Sequence, residues 1–115
     1  MKRRALIVED EVLVAMLLED MLADLGHEVA VLSNHLEEAV RLARTVDVDF
    51  ALLDINLNGE QSFPVAAALR ERGVPFLFAT GYGARIVPAL YLDAPVLQKP
   101  FSLEELGRAL ERVGM

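Results

Sequence analysis

The sequence contains no cysteine, which excludes disulfides, thiolate zinc sites and cysteine nucleophiles and is compatible with a reducing compartment. Long hydrophobic runs are missing too. The longest, Val12 to Leu18, is far below the ~20 residues a helix needs to span a bilayer. The N-terminus has neither the apolar segment nor the small-residue cleavage site of a signal peptide, so a cytoplasmic protein with no membrane partner is expected. Positive charge is scarce: 11 Lys plus Arg stand against 18 Asp plus Glu, for a net charge of -7. Such a chain repels a phosphate backbone unless a local basic stripe overrides the balance. The only basic cluster, Lys2-Arg3-Arg4, lies at the N-terminus, and no nucleic-acid partner is expected.

Apolar residues are plentiful, 54% of 115, enough for one core in one domain spanning residues 1–115. Arg4 to Val8 is a short run with β-branched residues that stops at Glu9-Asp10-Glu11, and it reads as a buried strand. Glu11 to Leu25 reads as a helix closed by Gly26. Glu28 to Leu32 is a second strand, and Asn34 with Glu37 forms a capping-box-like start for a helix reaching Thr45. Asp49 to Leu53 repeats the strand pattern and ends in Asp54, with Asn56, Asn58 and Gly59 in the loop beyond. Ser62 can cap a helix running to Arg72 with Pro64 in its first turn. Phe76 to Ala79 and Val96 to Gln98 are strands four and five, and Ser102 with Glu105 forms a capping box for a terminal helix. Between those strands Gly81, Gly83, Pro88 and Pro95 crowd the chain, so the helix expected over Ala84 to Leu92 is short or labile. Alternating strands and helices imply an α/β fold, a doubly wound five-stranded parallel sheet in the order 2-1-3-4-5.

In open sheets of this kind ligands bind beyond the carboxyl ends of the strands. Those ends carry Glu9 and Asp10 (strand one), Asp54 (three), Thr80 (four) and Lys99 (five). Three carboxylates brought together repel one another unless a cation sits among them. Oxygen ligands without His or Cys suit a hard cation, and a shallow site suits Mg²⁺ better than a full Ca²⁺ cage. Lys99 and the Thr80 hydroxyl would then cradle an anion, and the arrangement of charges fits a phosphoryl group.

The acidic pair, Asp54, Thr80 and the Lys99-Pro100-Phe101 triplet occur in the order that resembles receiver domains of two-component response regulators, with a flavodoxin-like, CheY-like fold. Residues 75–83, Pro-Phe-Leu-Phe-Ala-Thr-Gly-Tyr-Gly, are similar to the signature of the FAT GUY receivers, a mainly alphaproteobacterial group of single-domain receivers. The resemblance implies transfer of a phosphoryl group from phosphohistidine, on a sensor histidine kinase or histidine phosphotransferase, to Asp54. It also implies Mg²⁺ held by Asp10, Asp54 and the Asn56 backbone carbonyl, with Glu9 acting through water. Lys99 and Thr80 would contact the phosphoryl oxygens, and the Lys99–Pro100 peptide would be cis. Most receivers carry an aromatic switch residue where this chain has Val96. The signal is therefore expected to pass through Thr80, Gly81 and the turn that follows, with Tyr82 as the replacement reporter.

Each feature has a plainer explanation when taken singly. Glu9-Asp10-Glu11 could simply serve the N-terminal dipole of the first helix, Asp54 a turn, and Lys99 a strand end; their joint spacing is what favours the functional reading. His27 and His35 are expected to be solvated and without a role. The apolar run at the start of the first helix exceeds what one buried stripe needs, so part of it should be exposed and available to a helical phosphodonor, with Val14 in that face. A phosphatase of the haloacid dehalogenase type, which also forms an aspartyl phosphate, would need an acid where Asn56 stands. A receiver-like module that is never phosphorylated would not need the full set of acids, Thr and Lys. A stand-alone receiver is expected, acting by binding a downstream protein, as a phosphate sink or in a relay.

Overall fold

The computed structural model describes residues 2–81 and 87–114. Strand β1 (Arg4–Val8) leads through helix α1 (Val12–Asp24) to β2 (Glu28–Ser33), then α2 (Leu36–Thr45) and β3 (Phe50–Asp54). A two-stranded hairpin follows, β4 (Asn56–Leu57) and β5 (Glu60–Gln61), and then α3 (Phe63–Glu71), β6 (Phe76–Thr80), β7 (Val96–Gln98) and α4 (Leu103–Arg112). The main sheet is parallel in the order β2-β1-β3-β6-β7. With the hairpin strands set aside this is the expected 2-1-3-4-5 order.

Side chains alternate along each strand and so feed two cores. Ala5 and Ile7 of β1 and Phe50 and Leu52 of β3 pack with Leu18, Leu22, Leu106 and Leu110 of α1 and α4. Leu6, Val8, Ala51 and Leu53 face the opposite way, toward Ala39, Ala43, Val65 and Leu69 of α2 and α3. Helices on both faces explain why the middle strands read as continuous apolar runs rather than alternating ones. Gly26 adopts φ +86° immediately after α1, the left-handed stop its position suggested. The capping box of α4 forms in full, with Ser102 Oγ accepting from Glu105 N at 3.1 Å and Ser102 N donating to Glu105 Oε1 at 3.0 Å.

Several local expectations need correction. Asn34 does not cap α2. The N-cap is His35, which makes no side-chain cap bond, while Ser33 Oγ engages Glu38 at 2.8 Å. Ser62 is the N-cap of α3, but its hydroxyl is buried and makes no hydrogen bond among the described residues. The Asn58-Gly59 loop is the tip of a hairpin, with φ of +51° and +88°, the signs a two-residue type I′ connection requires. The described part of the expected fourth helix is a 3-10 turn, Ala89–Tyr91; residues 82–86 lie outside the described residues.

That turn is fastened to the sheet by aromatic rings and one arginine. Tyr91 is buried, stacks on Phe63 with centroids 6.0 Å apart, and meets Phe76 and Phe78 edge-on. The Arg70 guanidinium lies 5.1 Å from the Phe76 ring and 5.2 Å from that of Tyr91. It donates to the Leu90 carbonyl at 2.9 Å and to both oxygens of Asp93 at 3.0 and 3.1 Å. Because Asp93 is largely exposed, the ring contacts and the carbonyl bond carry more of the stabilisation than the ion pair does. Arg70→Ala should lower stability by about 1–2 kcal/mol in a urea melt, with Arg70→Lys recovering little because an ammonium cannot make the flat, forked contact. An unchanged midpoint for the alanine variant would contradict this account.

Candidate functional site

The strands stop at the same edge of the sheet and place their terminal polar residues side by side. Glu9 N donates to Ser33 O at 3.0 Å, which extends the β1–β2 ladder by one residue and fixes where Glu9 emerges. Asp54 is the last residue of β3 and stands opposite Ala79 of β6. Lys99 N donates to Thr80 O at 2.8 Å, so the lysine leaves β7 alongside the end of β6. The Lys99–Pro100 peptide is cis, as the resemblance implied.

Glu9, Asp54 and Thr80 are all buried, at 2%, 7% and 1% exposure. Lys99 Nζ lies 2.8 Å from Glu9 Oε1 and 3.2 Å from Asp54 Oδ2, so a single ammonium is shared by two buried carboxylates. Glu9 Oε2 accepts from Glu11 N at 3.1 Å, and Asp54 Oδ1 from Asn56 N at 3.3 Å. Asp10, less buried, accepts from Asn58 N through Oδ2 at 3.0 Å. One oxygen from each of Glu9, Asp10 and Asp54 lies within 4.8 Å of the others. The cleft, about 380 Å³, is also bordered by Asn56, Asn58, Gly59 and Gly81. An all-oxygen donor set of three acids facing one ammonium fits a hard divalent cation such as Mg²⁺.

Burial pushes the Asp54 carboxyl up to about 7, and the adjacent Glu9 charge adds to the rise while Lys99 opposes it. Burial acts against the Lys99 charge as well, but the hydrogen bond it donates to Glu9 and the charges of both acids outweigh it and hold the ammonium above its usual range. The two shifts agree once the lysine is seen to sit closer to Glu9, leaving Asp54 only partly compensated. Desolvation would also raise Asp10, yet the Asn58 N–H and side-chain bonds to Glu9 and Asp54 leave it below the usual carboxylate value.

The structure therefore brings together Glu9, Asp10, Asp54 and Lys99, with Asn56 on the rim and Thr80 at the adjoining strand end. Glu9 faces the lysine instead of capping α1, whose first turn holds no acid. Gly81 borders the cleft, whereas Tyr82, the expected reporter, lies outside the described residues. Val96 opens β7 and packs, partly buried, against the core that contains Tyr91. His35 is exposed as expected; His27 is half-buried, its ring 5.6 Å from Phe50 and its Nδ1 accepting from Arg3 N. Asn58 went unrecognised as a site residue, although the Asn-Gly pair that signals its turn is plain in the sequence.

The family model for the response regulator receiver domain matches residues 5–111. SdrG from Sphingomonas melonis Fr1, solved in solution, is 42% identical with a TM-score of 0.86, over 97% of this chain and 96% of that one. The receiver domain of the sensor histidine kinase PA1611 from Pseudomonas aeruginosa, solved with magnesium in its active site cleft, is 28% identical with a TM-score of 0.82, over 98% of each chain. The transcriptional regulatory protein PdtaR of Mycobacterium tuberculosis is 31% identical over 95% of this chain and 55% of its own length. The chain thus spans about half the length of the curated relatives it matches.

The raised Asp54 carboxyl fixes the sign of a pH effect in metal-free protein. A carboxyl that titrates near 3.8 unfolded and about 7 folded holds its proton more tightly when folded. Its contribution is whole below the unfolded value and is lost as pH climbs through the folded one. In chelator-treated protein, melting temperatures should fall between about pH 4 and pH 7 in the wild type relative to Asp54→Asn. Parallel curves for the two proteins would show that Asp54 carries no such strain.

Proposed function

Since the chain belongs to the response regulator receiver domain family, we propose that Asp54 is its phosphoacceptor and that it takes the phosphoryl group from a phosphohistidine. The observation that carries this reading is the single Lys99 ammonium spanning the Glu9 and Asp54 carboxylates, with Asp10 beside them. In the transfer an Asp54 oxygen forms a bond to phosphorus as the phosphorus–nitrogen bond to the donor imidazole breaks, and the ring nitrogen leaves with the bonding pair. Lys99 is positioned to move from Asp54 to a phosphoryl oxygen without leaving the cleft, and Thr80 at the next strand end offers its hydroxyl to the same group.

Asp10, Asp54 and the Asn56 carbonyl would hold Mg²⁺, with Glu9 acting through a bound water. The ion supplies neutralisation of charge on the acids and the incoming phosphoryl oxygens. Support comes from the oxygen-only donor set, and from the PA1611 relative, which binds magnesium in its own cleft. The dehalogenase-type phosphatase is disfavoured, because Asn56 has no carboxyl to act as general acid and its side-chain oxygen already accepts from Gly59 N at 2.9 Å. The chemistry is confined to the chain's own phosphorylation and dephosphorylation.

The partner is a sensor histidine kinase or a histidine phosphotransferase. At the start of α1, Val12, Leu13, Met16 and Leu17 are 70%, 81%, 56% and 54% exposed. A cleft of about 180 Å³ joins Val12, Met16 and Leu32 to Glu9 and Asp10, so an apolar surface runs up to the acids. Val14 is not part of it, being partly buried against the second core; the face is better probed at Leu13. No helix among the described residues is long and apolar enough to cross a membrane, in keeping with a cytoplasmic role. Output by binding a downstream protein, by draining phosphoryl groups or by relaying them fits this site equally.

Incubation with acetyl phosphate and Mg²⁺ should add the mass of one phosphoryl group to the intact protein, and Asp54→Asn should abolish the gain; a gain that survives in the variant would refute the assignment. Leu13→Glu should slow transfer from a phosphohistidine donor by about tenfold or more, as loss of an interface anchor does. It should leave the acetyl phosphate reaction unchanged. Equal slowing with both donors would rule out docking at this face.

A further inference from the structure

We propose that the β4–β5 hairpin is a positioning element for the cation site, and that Asn58 is the residue that sets it. This inference rests on the reading of Glu9, Asp10 and Asp54 as the Mg²⁺ site. Among the described residues Lys99 pairs with Glu9 and Asp54 but makes no ion pair with Asp10. Asp10 is held from outside by the hairpin tip, through the backbone N–H of Asn58 on its Oδ2 at 3.0 Å. A neutral donor on one oxygen orients the carboxylate without cancelling its charge, and an Asp10 oxygen lies within 4.8 Å of one from each of Glu9 and Asp54. Loss of a partner that orients a ligand in this way typically weakens metal binding by about 10- to 100-fold.

Asn58 delivers that N–H only because its backbone is left-handed, at φ +51°. Asparagine enters this region several-fold more readily than most residues, and a β-branched residue there is an outlier. Two side-chain bonds hold the turn: Asn58 Nδ2 donates to Asn34 O at 3.4 Å, and Gly59 N donates to Asn56 Oδ1 at 2.9 Å. The first reaches the backbone of the loop between β2 and α2. The hairpin thereby spans from the loop after β2 to the acid after β1.

The test is a calorimetric titration with Mg²⁺ alone, without phosphodonor. The proteins compared are the wild type, Asn58→Val, Asn58→Gly and Arg72→Ala. The last removes a distant bond to the Ala43 carbonyl and controls for general loss of stability, with thermal melts confirming that each protein is folded. Asn58→Val should weaken Mg²⁺ binding on the order of tenfold. Asn58→Gly, which accepts positive φ freely, should stay close to wild type, as should Arg72→Ala. If Asn58→Val does not fold, Asn58→Ala takes its place, with a smaller weakening expected. Undiminished affinity in the valine variant, or equal weakening in Arg72→Ala, overturns the hairpin's role and leaves the cation site standing. Failure of the wild type to bind Mg²⁺ overturns both.

Discussion

Two buried carboxylates, Glu9 and Asp54, share one ammonium, and much of the molecule can be understood as what holds that arrangement in place. Charges taken out of water are costly, and pairing them returns the cost only when the geometry is firm. Firmness comes from the strands. Glu9 is pinned by a ladder bond to Ser33 O and Lys99 by one to Thr80 O, so both partners project from backbone that cannot drift. The sheet beneath is clad by apolar helices on both faces, which keeps solvent away from all but the mouth of the cleft. The residual imbalance falls on Asp54, whose carboxyl is pushed up to about 7 by burial and by Glu9. A carboxyl left short of compensation is one that a nearby cation would favour in its charged form.

The main sheet and its four-strand convergence were legible because both rest on strong, local signals. Apolar runs that end abruptly in an acid or a lysine mark a buried strand and the edge where its polar end emerges, and that pattern points to Glu9, Asp10, Asp54 and Lys99, which the structure brings together. Finer features depended on competition between side chains, which spacing does not reveal. Asn34 and Glu37 have the spacing of a capping box, but α2 starts one residue later, after His35, and the Ser33 hydroxyl engages Glu38 in its first turn. Ser62 stands at the right position to cap α3, yet it is sealed in the core and its hydroxyl makes no cap bond. Val14 was grouped with an exposed apolar run, but helical periodicity turns it partly toward the second core while Leu13 and Met16 face out.

Position 96 shows how a departure from a familiar pattern can be absorbed elsewhere. An aromatic residue is missing there, and Val96 pairs with Phe78 across β6 and β7 and packs against the core. Tyr91 joins the same core from the 3-10 turn, reaching Phe63, Phe76 and Phe78. Phe78 and Thr80 alternate onto the same side of β6, so the strand end beside Asp54 is continuous with this group of rings. The segment joining β6 to β7 is consequently tied at one end by Arg70 and Tyr91 and at the other by the bond from Lys99 N to Thr80 O.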